Sequence, residues 1–133
     1  MIRNMNKVLI AIGSNHDAER HLEEVRILLK DSFGNGIVFS PTLQTADVNK
    51  EGPDFINALA VITTSMSYQE VKALLKQLEE KCENTKEARK RHEVAMDLDI
   101  LAFNKRRYHL NDWNRSYIQE LIKHLENNIW SQL

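Results

Sequence analysis

The strongest constraint on the fold is the order in which two hydrophobic periods alternate along the chain. The run KVLIAI at residues 7–12 is almost wholly aliphatic and is followed by Gly13-Ser14-Asn15, which predicts a buried strand that ends in a turn. A helix is predicted next, reaching about residue 31 and stopped by GNG at residues 34–36. Its apolar stripe has three- and four-residue spacing and consists of Leu22, Val25, Leu28 and Leu29.

The middle of the chain carries further predicted strands and a second helix. GIVFSPTLQTAD predicts a strand interrupted at Ser40-Pro41, and FINALAVITT at residues 55–64 predicts a longer one after the polar loop DVNKEGPD. Ser67 and Glu70 have the spacing of a capping box, so a helix should begin near Tyr68. The apolar stripe of this helix consists of Val71, Leu74, Leu75, Leu78 and Cys82.

The last third of the chain is predicted to hold one strand and one helix. KEARKRHEV has no clear apolar face and is interpreted as an extended helix end that gives way to a loop. MDLDILAF at residues 96–103 predicts a strand, and an amphipathic helix is expected from about residue 115 to 129. The stripe of that last helix is Ile118, Leu121, Ile122, Leu125 and Ile129.

This order, β-α-β-β-α-β followed by a terminal helix, is that of an α+β, ferredoxin-like sandwich. Its sheet is antiparallel and carries helices on one face, so we expect the opposite face to be uncovered. A length of 133 residues suits a single domain, residues 1–133, with one hydrophobic core.

Charge and cysteine content narrow the functional classes. Eighteen basic and 19 acidic residues give a net charge of −1, so no overall field attracts nucleic acid or a membrane, and neither is expected as a partner. The single Cys82 excludes an internal disulfide and a zinc site built on several thiolates, which suits a reducing cytoplasm. The apolar run VLIAI is too short for a signal peptide or a membrane span. We expect a cytoplasmic monomer.

The strand MDLDILAF has acidic residues on one face. Side chains alternate along a strand, so Met96, Leu98 and Ile100 should face the helices while Asp97 and Asp99 face the other way. Two carboxylates at this spacing, with Cα atoms about 6.5–7 Å apart, can share a pair of divalent cations. Taken alone, such a pair is more often an ordinary solvated strand face than a metal site.

Three other features allow chemistry but do not require it. AIGSN could aim backbone N–H groups at an anion, although a single glycine is typical of any strand-to-helix turn. The basic run from Lys86 to His92 could clamp a polyphosphate, or be a solvated helix face, or less readily bind nucleic acid. His109 and Arg115 follow the acidic strand, where a lone histidine is usually a surface residue.

Together these segments resemble the 6-hydroxymethyl-7,8-dihydropterin pyrophosphokinase family, which moves the β,γ-pyrophosphoryl unit of ATP to a pterin hydroxymethyl group in folate biosynthesis. The resemblance rests on the order of VLIAIGSN, LQTAD, GPDFINALAVITT, LKQLEE, MDLDILAF and the H-x5-R of HLNDWNR. It implies ATP as co-substrate and two Mg²⁺ ions. Asp97 and Asp99 would bind the metal ions, and His109 and Arg115 would contact the ATP phosphates.

The same resemblance implies a pterin pocket and a nucleotide side. Glu79 and Lys86 match positions on the nucleotide side. The pterin is implied to be hydrogen-bonded by two residues, flanked by two aromatic rings and bordered by a glycine: Thr45 and Asn57, Phe55 and Tyr117, and Gly13.

The loop before the acidic strand departs from the family pattern G-R-x-R-x-x-R-W-G-P-R. Aligned without gaps back from Asp97, ENTKEARKRHEV places Asn84 and Lys86 at the first two arginines and Val94 at the last. Arg91-His92-Glu93 replaces Trp-Gly-Pro, and only Lys86 and Lys90 keep a charge. Arg89 and Arg91 are the candidates to replace the missing guanidinium groups.

Three hypotheses therefore stand. The first is a pyrophosphokinase, weakened by the loss of loop arginines. The second is a non-catalytic relative that binds pterin or nucleotide. The third is an interaction module that uses the uncovered sheet face for a protein partner.

Overall fold

A six-stranded antiparallel sheet forms the centre of the protein. The computed structural model describes residues 5–47, 51–82 and 86–125, without the side chains of residues 88 and 89. The order of strands across the sheet is β2-β4-β1-β5-β6, with β3 also pairing with β4. The strands are β1 (Asn6–Ser14), β2 (Ile37–Phe39), β3 (Leu43–Thr45), β4 (Phe55–Thr64), β5 (Asp97–Phe103) and β6 (Arg106–Arg107).

Two long helices pack on one face of this sheet, which confirms the predicted α+β, ferredoxin-like fold. Inward residues of β1, β4 and β5, including Ile10, Ile62 and Ile100, are buried against them. Ser67 and Glu70 form the predicted capping box at the start of the second helix. The helices are α1 (Ala18–Phe33), α2 (Tyr68–Lys81), α3 (Lys86–Lys90), α4 (Leu110–Trp113) and α5 (Ser116–Ile122).

The opposite face of the sheet was expected to be uncovered, but two C-terminal helices cover much of it. Leu9, Leu59 and Leu101 alternate with the residues of the first core and are completely buried beneath α4 and α5. The C-terminal helices therefore form a second core with these strands. Each buried leucine in it contributes about 1.5–3 kcal/mol to stability. The two helices cover the middle of this face, and the ends of β1 and β5 near Gly13 and Asp97 are left open as a cleft.

Other boundaries differ from the prediction. β1 continues through Gly13 and Ser14, because Gly13 pairs with both β4 and β5 and Ser14 pairs with β4. The basic segment forms the short separate helix α3 instead of an extension of α2, and the hairpin strand β6 was not predicted. The last predicted helix begins at Ser116, close to its expected start, and ends at Ile122, while the short helix α4 before it was not predicted. Ile129 of its predicted stripe lies outside the described residues. In the part of the chain that the structure describes, no helix is long and apolar enough to cross a membrane.

Candidate active site

A row of three residues runs across the open end of the sheet. In the strand register Gly13 of β1 lies directly between Asn57 of β4 and Asp97 of β5. A Cβ on Gly13 would lie 3.4 Å from Asn57 Oδ1 and 3.5 Å from Cδ1 of Phe55. The missing side chain therefore leaves a trough between an amide and a carboxylate.

This trough is the floor of a cleft of about 190 Å³. The sheet forms one side of the cleft, and the turn into α5 contributes Arg115 and Tyr117 on the other. Eight residues that the family resemblance singled out line it together: Gly13, Thr45, Phe55, Asn57, Asp97, Asp99, Arg115 and Tyr117.

The amide of Asn57 is held in one orientation. Nδ2 donates to Thr45 Oγ1 at 2.8 Å and to the backbone carbonyl of Leu43 at 3.1 Å, so both amide hydrogens are used. Oδ1 is the atom nearest to the trough at Gly13. Asn57 therefore presents an acceptor, and the Thr45 hydroxyl, which accepts from Asn57, keeps its proton for donation.

The two carboxylates on β5 strongly affect each other. The surrounding protein displaces water from Asp97 and, together with the negative charges of Asp99 and Glu79, raises the pKa of this carboxyl to about 7. Burial also raises the pKa of Asp99, while the nearby His109 lowers it. This charge repulsion would be relieved by a proton or a cation in the cleft.

Asp99 also lines a second cavity of about 210 Å³ between α2 and the outer edge of β5. His109 Nε2 lies 3.9 Å from Asp99 Oδ1 in this cavity. Tyr68, stacked on Tyr108 with ring centroids 4.7 Å apart, forms part of its wall, and Lys72 adds a cation. Asp99 thus stands between two spaces, with Arg115 in one and His109 in the other.

Two of the predicted nucleotide-side residues line neither cavity. Glu79 is half-buried, and its Oε2 accepts a hydrogen bond of 2.7 Å from the backbone N–H of Leu98. Burial, opposed by this bond, raises the pKa of Glu79. Glu79 therefore holds the backbone of the acidic strand and also contacts the side chain of Asp97, whereas Lys86 lies exposed on α3.

The loop from Arg91 to Val94, which lacks the family arginines, is hydrogen-bonded to Asn15, the residue that follows β1. Val94 accepts a hydrogen bond of 3.0 Å from Asn15 N and donates its N–H to Asn15 Oδ1. Arg91 Nε donates to Glu93 Oε1 at 3.2 Å, and the other oxygen of Glu93 lies 2.7 Å from His16 Nδ1. Arg91 is therefore paired outside the cleft and does not replace the missing guanidinium.

Sequence reasoning missed several of the residues that line the two cavities, and three of them bear on the chemistry. Asp112 lies in the first cavity, where its Oδ1 accepts a hydrogen bond from Arg115 Nε. Tyr68 and Lys72 belong to the second cavity. The position of Asp112 inside the H-x5-R segment was the one available signal for it. Tyr68 and Lys72 lie one helical turn apart on the predicted second helix, and nothing in that spacing by itself indicates a ligand site.

The donor set suits a metal ion that is shared with a substrate. Among the residues that the structure describes, no group of three or more His, Cys, Asp or Glu side chains could hold a metal by itself. Mg²⁺ commonly uses one or two carboxylates and takes its other oxygens from substrate phosphates and water. Asp97 and Asp99, facing one cleft with mutual repulsion, fit that arrangement.

Fold and site together define an α+β protein with a small-molecule cleft, in which paired carboxylates stand between two neighbouring cavities. Comparison with protein-family models gives a match over residues 9–127 to 7,8-dihydro-6-hydroxymethylpterin-pyrophosphokinase (HPPK). The chain therefore belongs to the HPPK family. A search of curated proteins found no significant match.

Proposed function

We propose that this protein transfers pyrophosphate from ATP to the hydroxymethyl group of 6-hydroxymethyl-7,8-dihydropterin, a step of folate biosynthesis. The observation that carries the proposal is the position of Asp99 at the common wall of two cavities. A transferase of this kind must hold two substrates whose reacting atoms meet at one point. Family membership supplies the identity of the substrates.

The first cavity suits the pterin. Asn57 Oδ1 is an acceptor for a ring N–H, and the Thr45 hydroxyl is a donor for a ring nitrogen or carbonyl. Phe55 and Tyr117 supply aromatic surface, and the trough at Gly13 admits the edge of a flat ring. The pterin hydroxymethyl group would then point towards Asp97 and Asp99.

The second cavity suits the nucleotide. Tyr68 provides an aromatic surface for a base, while Lys72 and His109 provide donors for phosphate oxygens. Arg115 approaches the same carboxylates from the pterin side. Phosphate groups that pass Asp99 would therefore meet positive charge in both cavities.

Asp97 and Asp99 would hold Mg²⁺ together with the ATP oxygens. When bound, the metal neutralises phosphate charge and acidifies the attacking hydroxyl. In the reaction the pterin hydroxyl gives up its proton to water and its oxygen forms a bond to the β-phosphorus, the bond from that phosphorus to the oxygen shared with the α-phosphate breaks, and AMP leaves. The chain itself contributes alignment and charge, because phosphoryl-type transfer depends on positioning and electrostatic stabilisation.

A second candidate function is binding without turnover. It is favoured by the loop from Arg91 to Val94, in which the one described arginine side chain is paired with Glu93 and the last family arginine is replaced by Val94. Losing one preorganised donor costs about 10²–10³ in rate, so a slow enzyme is expected even if the first proposal is right.

AMP release in the presence of ATP, Mg²⁺ and the hydroxymethyl-dihydropterin tests the proposal. The wild-type protein should release AMP only when the pterin is present, and Asp97→Asn and Asp99→Asn should each abolish the signal. Asp31→Asn, which removes an exposed carboxylate from α1, is the matched control and should keep the rate. Pterin binding by calorimetry without AMP release at high protein concentration would favour the binding-only relative instead.

A further inference from the structure

The side chain of Arg115 is held at one edge only. Its Nε donates to Asp112 Oδ1 at 3.0 Å, and this is the one hydrogen bond that the side chain makes within the described ranges. The two terminal amino groups are left for a ligand in the cleft that contains Asp97 and Asp99. A guanidinium has a second edge that matches a phosphate in bidentate fashion, so a bond through Nε fixes the plane without consuming that edge.

Asp112 is itself immobilised by its neighbours. Its backbone N–H donates to the carbonyl of His109 at 2.8 Å, and its carbonyl accepts from Arg115 N at 3.0 Å. The next residue, Trp113, is buried, and its Nε1 donates to the carbonyls of Leu101 and Tyr108 at 3.1 and 3.0 Å. Asp112 therefore links Arg115 to the second core through rigid contacts.

The carboxylate of Asp112 is unfavourable in this place on electrostatic grounds alone. Its negative charge contributes to the raised pKa values of Asp97 and Asp99, and it would repel an incoming phosphate. Arg115 is the one arginine that lines this cleft in the part of the chain described, and the last loop arginine of the family is absent at Val94. The unfavourable charge of Asp112 is compensated by the orientation that its hydrogen bond gives to Arg115.

We propose that Asp112 is a positioning residue that holds Arg115 through Nε, so that its terminal amino groups face the phosphoryl groups being transferred. The inference rests on the proposed function and adds a residue to it. Preorganised donors stabilise charge that develops during transfer more than charge present in the bound substrate. Loss of Asp112 should therefore lower kcat and leave the KM for ATP nearly unchanged.

Two other roles for Asp112 predict different results. If Asp112 competes with phosphate for Arg115, its removal should tighten ATP binding and raise the rate at low ATP. If Asp112 only stabilises the turn before α5, its removal should lower Tm and weaken pterin binding, with no dependence on whether Arg115 is present.

A double-mutant cycle on Asp112 and Arg115, followed by AMP release and thermal denaturation, separates these roles. Asp112→Ala should lower kcat about 10–100-fold, as is typical for groups that orient a functional side chain. Asp112→Asn keeps an oxygen acceptor for Nε and should recover most of that loss. In an Arg115→Ala background, Asp112→Ala should cost little more, because the two residues act as one unit.

The control is Glu120→Gln on α5, which removes a nearby exposed carboxylate that contacts Lys123 and should keep kcat. Losses that add fully in the double mutant, or a rise in rate on removal of Asp112, would overturn the inference while the enzyme remains active. Absence of AMP release from the wild-type protein would overturn the proposed function, and this inference with it.

Discussion

The affinity of the site for Mg²⁺ should depend strongly on pH between 6 and 8.5. The surrounding protein displaces water from Asp97 and, together with the charges of Asp99 and Glu79, raises the pKa of this carboxyl to about 7. A cation binds the ionised carboxylate, so protons compete with it below that pKa. With one competing group of pKa about 7, the apparent dissociation constant is about 11-fold weaker at pH 6 and nearly unaffected at pH 8.5.

Titration calorimetry with MgCl₂ and a non-hydrolysable ATP analogue measures this affinity directly. Glu79→Gln is the informative variant, because it removes a neighbouring negative charge and still offers an oxygen to the Leu98 N–H. It should move the midpoint of the pH dependence to lower pH. An affinity that stays constant from pH 6 to 8.5, or a midpoint that Glu79→Gln leaves in place, would show that protons and Mg²⁺ do not compete for Asp97.

The same raised pKa has a consequence for stability in the absence of metal. Because the folded-state pKa of Asp97 lies above its ordinary value of 3.8, ionising this group destabilises the folded protein as pH rises from about 4 to 7. Asp97→Asn should therefore gain stability relative to wild type across that window, with a constant difference above it. Urea denaturation at several pH values, without divalent cations, measures the difference.

Three further substitutions test separate parts of the structure. Gly13→Ala would place a methyl group 3.4 Å from Asn57 Oδ1 in the trough, and it should weaken pterin binding by about tenfold or more in calorimetry with little change in Tm. Asn15→Ala removes buried hydrogen bonds to the carbonyls of Pro53 and His92, and it should cost about 1–3 kcal/mol in urea denaturation. Ser67→Ala breaks the capping box of α2 and should lower the free energy of unfolding by about 1 kcal/mol without altering ligand affinity. A loss of pterin binding in this variant would show that the start of α2 also shapes the pterin cleft.

Alternation and periodicity were sufficient to predict the elements that place the acidic pair. Met96, Leu98 and Ile100 are buried on the helix side, so Asp97 and Asp99 necessarily face the other way. FINALAVITT forms a strand with the predicted bounds, and Ser40-Pro41 separates two short strands. These features depend on local spacing, which a sequence displays directly.

Features that depend on tertiary packing were not predictable in this way. Helices α4 and α5 cover the second face of the sheet because they pack against Leu59 and Leu101, which lie on strands distant in sequence. The orientation of the Asn57 amide is set by its contacts with β3, so composition alone could not show that it presents an acceptor. Asp112 was missed for the same reason, since its importance comes only from its contact with Arg115.

The proposed function requires both substrates to meet at Asp97 and Asp99. A crystal structure with Mn²⁺, a non-hydrolysable ATP analogue and the hydroxymethyl-dihydropterin tests it most directly, because anomalous scattering locates the metal. We expect Mn²⁺ to lie against both carboxylates, the pterin against Asn57 and the nucleotide beside Tyr68 and His109. Metal bound elsewhere, with the two carboxylates contacting neither substrate nor ion, would contradict it.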